Sequence, residues 1–122
     1  MSTASFDNIQ PSAGGTARNA VRGIAAAWAN LNGTGTIALR DSENVSSVVD
    51  NGTGNYSYNF ANEMLNIGFA PNSNSRADGV ANLSSSIPLP SASTVTTFTT
   101  NPTTGGFTDA NIVSLDVLGD LA

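Results

Sequence analysis

The chain has 122 residues, 39% of them hydrophobic and only 11% charged, with four arginines against nine acids for a net charge of −5. Lysine, histidine and cysteine are absent, which excludes a zinc finger, a thiol nucleophile, a Ser-His-Asp triad, a P-loop and a Schiff base. The acidic balance argues against a nucleic-acid groove, no disulfide can staple the fold, and the length allows one domain with a modest core.

Asn, Ser, Thr and Gly supply the polarity that Lys and Glu usually provide, a composition suited to strands and turns rather than exposed helices. Residues 1–17 read as an extended polar arm: Pro11 and Gly14-Gly15 interrupt regular structure, and Phe6 and Ile9 are its only anchors, the expected tether to a particle or to neighbouring subunits. The opening MSTASFDNIQPSAGG has neither a basic nor a hydrophobic segment, so no signal peptide is expected, and no stretch is apolar enough to insert into a membrane. Five Asn-x-Ser/Thr sequons, at Asn44 and Asn82 among others, read as chance in so Asn- and Thr-rich a chain.

Residues 18–122 form the expected domain. Its start, RNAVRGIAAAWANLN, is ambiguous between helix and strand; alternation of Trp28 and Asn30 against Ala29 and Leu31 favours a strand over 24–31. Strands are then expected at 36–40, 45–49 and 55–60, with 41–44 as a turn. Tyr56, Tyr58 and Phe60 share one face. Further strands are expected at 65–70, with Leu65, Ile67 and Phe69 inward, and at 79–85, 93–99 and 111–118. Pro88, Pro90 and NPTTGG at 101–106 mark connections. Seven or eight short strands divided by turn signals predict an all-β fold, an antiparallel, jelly-roll-like β-sandwich with an extended N-terminal arm.

The tetrapeptide NGTG occurs twice, at 32–35 and 51–54. A phosphate-binding loop needs a helix after its glycines, whereas here a strand-like run follows each copy. Both copies therefore read as hairpin turns, with Asn32, Gly33 and Gly35 in the first and Asn51, Gly52 and Gly54 in the second.

Candidate chemistry is sparse. Asp41 and Glu43 are close enough in sequence to suggest a carboxylate pair or calcium ligands, but the twelve-residue calcium-loop pattern is missing and a solvated turn beside Arg40 is the plainer reading. Asp116 alternates with apolar neighbours and should face solvent or a subunit interface, while Asp120 follows Gly119 at a strand end. Trp28, Tyr56 and Tyr58 suit either a sugar-stacking platform or, as is commoner for a lone Trp in a small β-domain, the core.

The stretch AAWANLNGTGTIALRDSENVSSVVDNGTGNYSYNFANEM, residues 26–64, resembles a domain found at the C-terminal end of many bacteriophage tail-fibre proteins. Trp28, Asn30, Asn32, Gly33, Arg40, Asp41, Ser42, Asn44, Val45, Asp50 to Gly54, Tyr56, Asn59 and Phe60 carry the likeness. DANIVSLDVLGD resembles that family's closing strand, and between 65 and 105 the similarity fades. The resemblance implies a non-enzymatic virion structural protein, a homotrimer on the particle surface without a cofactor. It also implies that Arg40, Asp41 and Ser42 form a turn motif that hydrogen-bonds neighbouring backbone. A long fibre would precede such a tip with a shaft, whereas the expected arm of this chain is the 17 residues that begin with Met1.

The expected function is thus a trimeric decoration or cement knob of the phage particle, bound to capsid or tail proteins. The alternative is a tail-fibre or short tail-appendage protein whose loops near 71–78 and 101–108 touch a host receptor or glycan. A carbohydrate-active depolymerase is a third reading, which no acid pair in the sequence marks.

Overall fold

The computed structural model describes residues 8–9, 18–19 and 24–122 apart from 81, 82 and 89. Its strands are β1 (Asn8–Ile9), β2 (Arg18–Asn19), β3 (Ala25–Asn32), β4 (Ala38–Glu43), β5 (Val45–Gly52), β6 (Asn55–Phe60), β7 (Ala70–Arg76), β8 (Ser84–Ser86), β9 (Thr94–Thr100) and β10 (Ile112–Leu118). No helix occurs among the described residues. Two four-stranded antiparallel sheets, ordered β4-β3-β10-β7 and β5-β6-β9-β8, form the sandwich expected from the sequence.

Alternation explains the layering. Ala27, Ala29 and Leu31 of β3 and Val113, Leu115 and Val117 of β10 point inward from one sheet; Tyr56, Tyr58 and Phe60 of β6 and Val95 of β9 point inward from the other. The small alanines of β3 leave room for the tyrosines of β6, which are fully buried. Phe60 meets Phe69 edge-on, with ring centroids 6.1 Å apart. At the β7/β8 margin the inner layer is polar instead: the Ser85 hydroxyl lies 3.2 Å from those of Ser73 and Ser75.

The chain changes sheet between β4 and β5, β6 and β7, β7 and β8, and β9 and β10. These crossings give the sandwich two unlike ends. One gathers the β3–β4 and β5–β6 turns with the 101–111 connection. The other gathers the start of β3, the β4–β5 corner, residues 61–69 and the C-terminus.

Several expectations are corrected. Residues 41–44 are not a turn: Asp41, Ser42 and Glu43 extend β4, and the corner is the single residue Asn44, at φ 56°. Asn44 holds this left-handed conformation because its amide substitutes for missing backbone partners. Its Nδ2 donates to the carbonyls of Ala26 (3.1 Å) and Asn62 (3.0 Å), and its Oδ1 accepts from Asn62 N (2.7 Å). The strand expected at 65–70 is not formed. Only Phe69 of its expected inward set is buried, while Leu65 and Ile67 are exposed, because this segment spans the end of the sandwich between sheets. An Asn66 side chain accepting from Gly68 N at 2.7 Å turns the chain there. The strand comes later, over Ala70–Arg76, so most of the loop expected at 71–78 is β7. The strand expected at 79–85 is only Ser84–Ser86.

In the N-terminal segment, Asn8 pairs with Asn19 and Ile9 with Arg18, a small ladder separate from both sheets. The expected boundary after residue 17 thus falls directly before β2. Phe6 lies outside the described residues, and only the backbone of Ile9 is described.

Candidate functional site

The two NGTG copies converge on one site at the same end of the sandwich. The first does not make a two-residue Asn-Gly turn: Asn32 pairs with Ala38, leaving a five-residue connection over 33–37 in which Gly35 alone has positive φ. Asn32 starts it by accepting from Thr34 N (3.2 Å) and Thr34 Oγ1 (2.7 Å). In the second copy Asn51 lies within β5 and the turn proper is Thr53-Gly54, since Gly52 pairs with Asn55. Asp50 Oδ1 accepts from Gly52 N at 2.9 Å, and Asn51 Nδ2 donates to Ser57 Oγ at 2.7 Å. Both copies are turns, as expected, but neither uses Asn-Gly as its central pair.

What joins them is a clasp that the sequence reading missed. Tyr56 sends its hydroxyl across the core to two acceptors, the Gly33 carbonyl and Asp109 Oδ1, each at 2.8 Å. Asp109 Oδ1 also accepts from Gly54 N at 2.8 Å, and Gly33 N donates to the Ala110 carbonyl at 2.9 Å. One carboxylate and one phenol therefore tie the β3–β4 turn, the β5–β6 turn and the β9–β10 connection together. The glycines are there for proximity. A Cβ on Gly33 would stand 2.6 Å from Tyr56 Cζ, and one on Gly54 2.6 Å from the Thr99 carbonyl. Burial first, then the hydrogen bond to Asp109 and its charge, hold the Tyr56 phenol protonated far above its ordinary range. Burial likewise pushes Tyr58 up to about 12, with the Thr97 hydroxyl pulling the other way. Asp109 itself is exposed and lines an open cleft with Thr34, Asp78 and Asn111, but its Oδ1 is taken up by Gly54 N and the Tyr56 hydroxyl, which makes the clasp a structural tie.

Arg40, Asp41 and Ser42 do not form the expected turn motif. They lie in β4 across a bulge: Asn30 pairs with Asp41 and Leu31 with Leu39, so Arg40 is the extra residue. The bulge puts Arg40 and Asp41 both on the outside. Arg40 Nη1 donates to Asn30 Oδ1 at 3.1 Å, and Asp41 Oδ1 accepts from its neighbour Ser42 N at 2.9 Å. Among the described residues, no three His, Cys, Asp or Glu side chains are grouped to hold a metal.

Two surface features remain. At the end opposite the clasp, Ile24, Leu65, Ile67, Leu118 and Leu121 are all exposed. Leu118 borders an open cleft of about 370 Å³, and Ile24 and Leu121 border a second of about 410 Å³ that Ala26, Glu43, Asn44 and Asn62 also line. On the outer face of β4-β3-β10-β7 stands Trp28, 37% exposed rather than in the core as the plainer reading had it. Ala27 and Ala29 take the inward positions on β3 and force the indole out. Tyr56 and Tyr58 are buried beneath the other sheet, so the three aromatics form no common platform.

Comparisons with protein-family models, with curated proteins and with solved structures find no match to this chain.

Proposed function

We propose that this chain is a non-enzymatic structural protein of a bacteriophage virion, a small knob that decorates the particle surface as a homotrimer. The observation that carries the reading is the difference between its ends. Five exposed apolar side chains, Ile24, Leu65, Ile67, Leu118 and Leu121, crowd the end from which the N-terminal segment leaves, while the opposite end is cross-tied by glycine turns. Apolar surface gathered in one place marks a contact region, and burying it against the particle or neighbouring copies would stabilise the assembly by mass action. The stretch that resembles tail-fibre tips, 26–64, supports the same reading: it spans β3 to β6, and its Gly33, Asn44, Gly54 and Tyr56 form corners and clasp. A role in holding shape needs such residues and no reaction step.

Particles made without this protein should release their genome at lower temperature or milder osmotic shock than complete particles, and adding the purified protein back should restore them. Equal stability of the two particle types refutes the cementing role. A second reading, a short tail appendage touching the host receptor, is favoured by Phe107. This residue is 52% exposed at the glycine-turn end and packs on Phe98 with ring centroids 5.1 Å apart. In that case the purified protein competes with infection, and Phe107→Ser removes the competition.

A further inference from the structure

Charge is unevenly divided along the chain. Residues 24–122 hold two arginines and eight carboxylates, a formal −6, whereas residues 1–23 hold two arginines and one aspartate, +1. Both arginines of the sandwich are engaged on their own surface, Arg40 with Asn30 (3.1 Å) and Arg76 with Asp78 (3.4 Å). Identical acidic sandwiches repel unless cations enter the contact. Arg18 and Arg22 are the two that remain in the sequence.

The outer face of β4-β3-β10-β7 suits such cations. Glu43, Trp28, Asp116 and Asn72 lie directly opposite one another across its four strands. Neighbours in such a row stand about 5 Å apart at Cβ, so the exposed indole has a carboxylate on either side. Neither Glu43 nor Asp116 forms an ion pair among the described residues, and Asp116 has only a 3.4 Å contact from Asn72 Nδ2. An aromatic face between two such carboxylates draws a guanidinium by both its quadrupole and its charged flanks.

Arg18 lies in β2, whose pairing among the described residues is with β1 alone, over two residues. A ladder that short is marginal in water unless it lies on a surface. The six Cα-to-Cα steps from Arg18 to Ile24 span at most roughly 20 Å, enough to reach an adjacent sandwich.

We infer that the β1–β2 ladder of one copy docks on the Trp28 face of a neighbouring copy, with Arg18 and Arg22 meeting the indole between Glu43 and Asp116. The inference rests on the self-association in the proposed function and supplies a contact for it.

The test uses four full-length proteins: wild type, Arg18→Glu/Arg22→Glu, Glu43→Arg/Asp116→Arg, and one chain carrying both reversals. Light scattering gives their mass, circular dichroism checks the fold, and emission from Trp28, the single tryptophan, reports on the face. The wild type should be oligomeric with blue-shifted emission, and each charge reversal alone should be monomeric with red-shifted emission. The protein carrying both reversals should regain the oligomer mass, because each copy again meets a neighbour of opposite charge. Unchanged mass in both single reversals overturns the docking and leaves the association itself standing, whereas a monomeric wild type overturns both. A shift in emission without a change in mass means the chain covers its own face. Loss of mass that the combined reversal does not restore means a general charge effect. Quenching of Trp28 by a neutral glucan oligosaccharide with the mass unchanged means a sugar platform. Each of these three results also refutes the docking.

Discussion

Removing the Tyr56 hydroxyl tests the clasp directly. In Tyr56→Phe the ring stays and the fully buried core keeps its shape, but the Gly33 carbonyl and Asp109 Oδ1 lose a donor 2.8 Å away. A hydrogen bond to a charged group is worth about 1.5–3 kcal/mol, so a loss of about 2 kcal/mol is expected. In a domain of this size that lowers Tm by roughly 6–10 °C. Asp109→Ala should cost more, about 3 kcal/mol, because it strands Gly54 N and leaves the Tyr56 hydroxyl one of its two acceptors, the Gly33 carbonyl. The two changes break the same contact, so the double variant should fall short of additivity by about 1–2 kcal/mol. The assay is equilibrium unfolding in guanidinium followed by circular dichroism, at one protein concentration for all variants because association shifts apparent stability. The reasoning fails if Tyr56→Phe costs less than about 0.5 kcal/mol or if the double variant is additive.

Two glycines of similar backbone conformation should respond differently to alanine. Gly54→Ala (φ 63°) drives a methyl against the Thr99 and Thr108 backbone and should cost more than about 3 kcal/mol, whereas Gly35→Ala (φ 62°), which faces open space, should cost only about 1 kcal/mol; equal denaturation midpoints would contradict this. Asn44→Gly keeps the left-handed corner but loses the amide bonds, and Asn44→Ala loses both, so Ala should be worse than Gly by about 1 kcal/mol in thermal unfolding. Alkaline pH should destabilise the fold. Tyr58, raised from 10 to about 12, binds its proton more tightly folded than unfolded, so stability is intact below pH 10 and falls by about 3 kcal/mol as pH rises to about 12, a decline that Tyr58→Phe should reduce in a pH series of unfolding curves. Tyr56 shifts in the same direction and adds to this decline.

Local periodicity was enough to read most of the sandwich. The alternation of Tyr56, Tyr58 and Phe60, and of Val113, Leu115 and Val117, requires one face of each strand to be buried, and the structure buries those faces. Leu65, Ile67 and Phe69 carry the same alternation and do not form a strand, since the segment has to carry the chain from one sheet to the other and its backbone pairing with the C-terminal residues, through Leu65 N to the Asp120 carbonyl (2.8 Å), does not extend into a ladder among the described residues. Periodicity records what a strand would bury, not whether a neighbour exists.

The NGTG pairs could be read as turns from their residue types, because glycine and asparagine tolerate left-handed backbone. Their convergence could not, since Tyr56 and Asp109 meet only through the stacking of two sheets. Trp28 shows the same division. Its strand was legible, but which of its faces looks inward depends on the space left by the tyrosines opposite, a fact of packing that no residue of β3 carries by itself. The sequence by itself determined the all-β class and the places where the chain can bend, because those follow from side-chain alternation and backbone freedom within a few residues. Only the tertiary structure decided which corners share a carboxylate, which aromatic meets solvent and which end is apolar, because each depends on atoms brought together from distant parts of the chain.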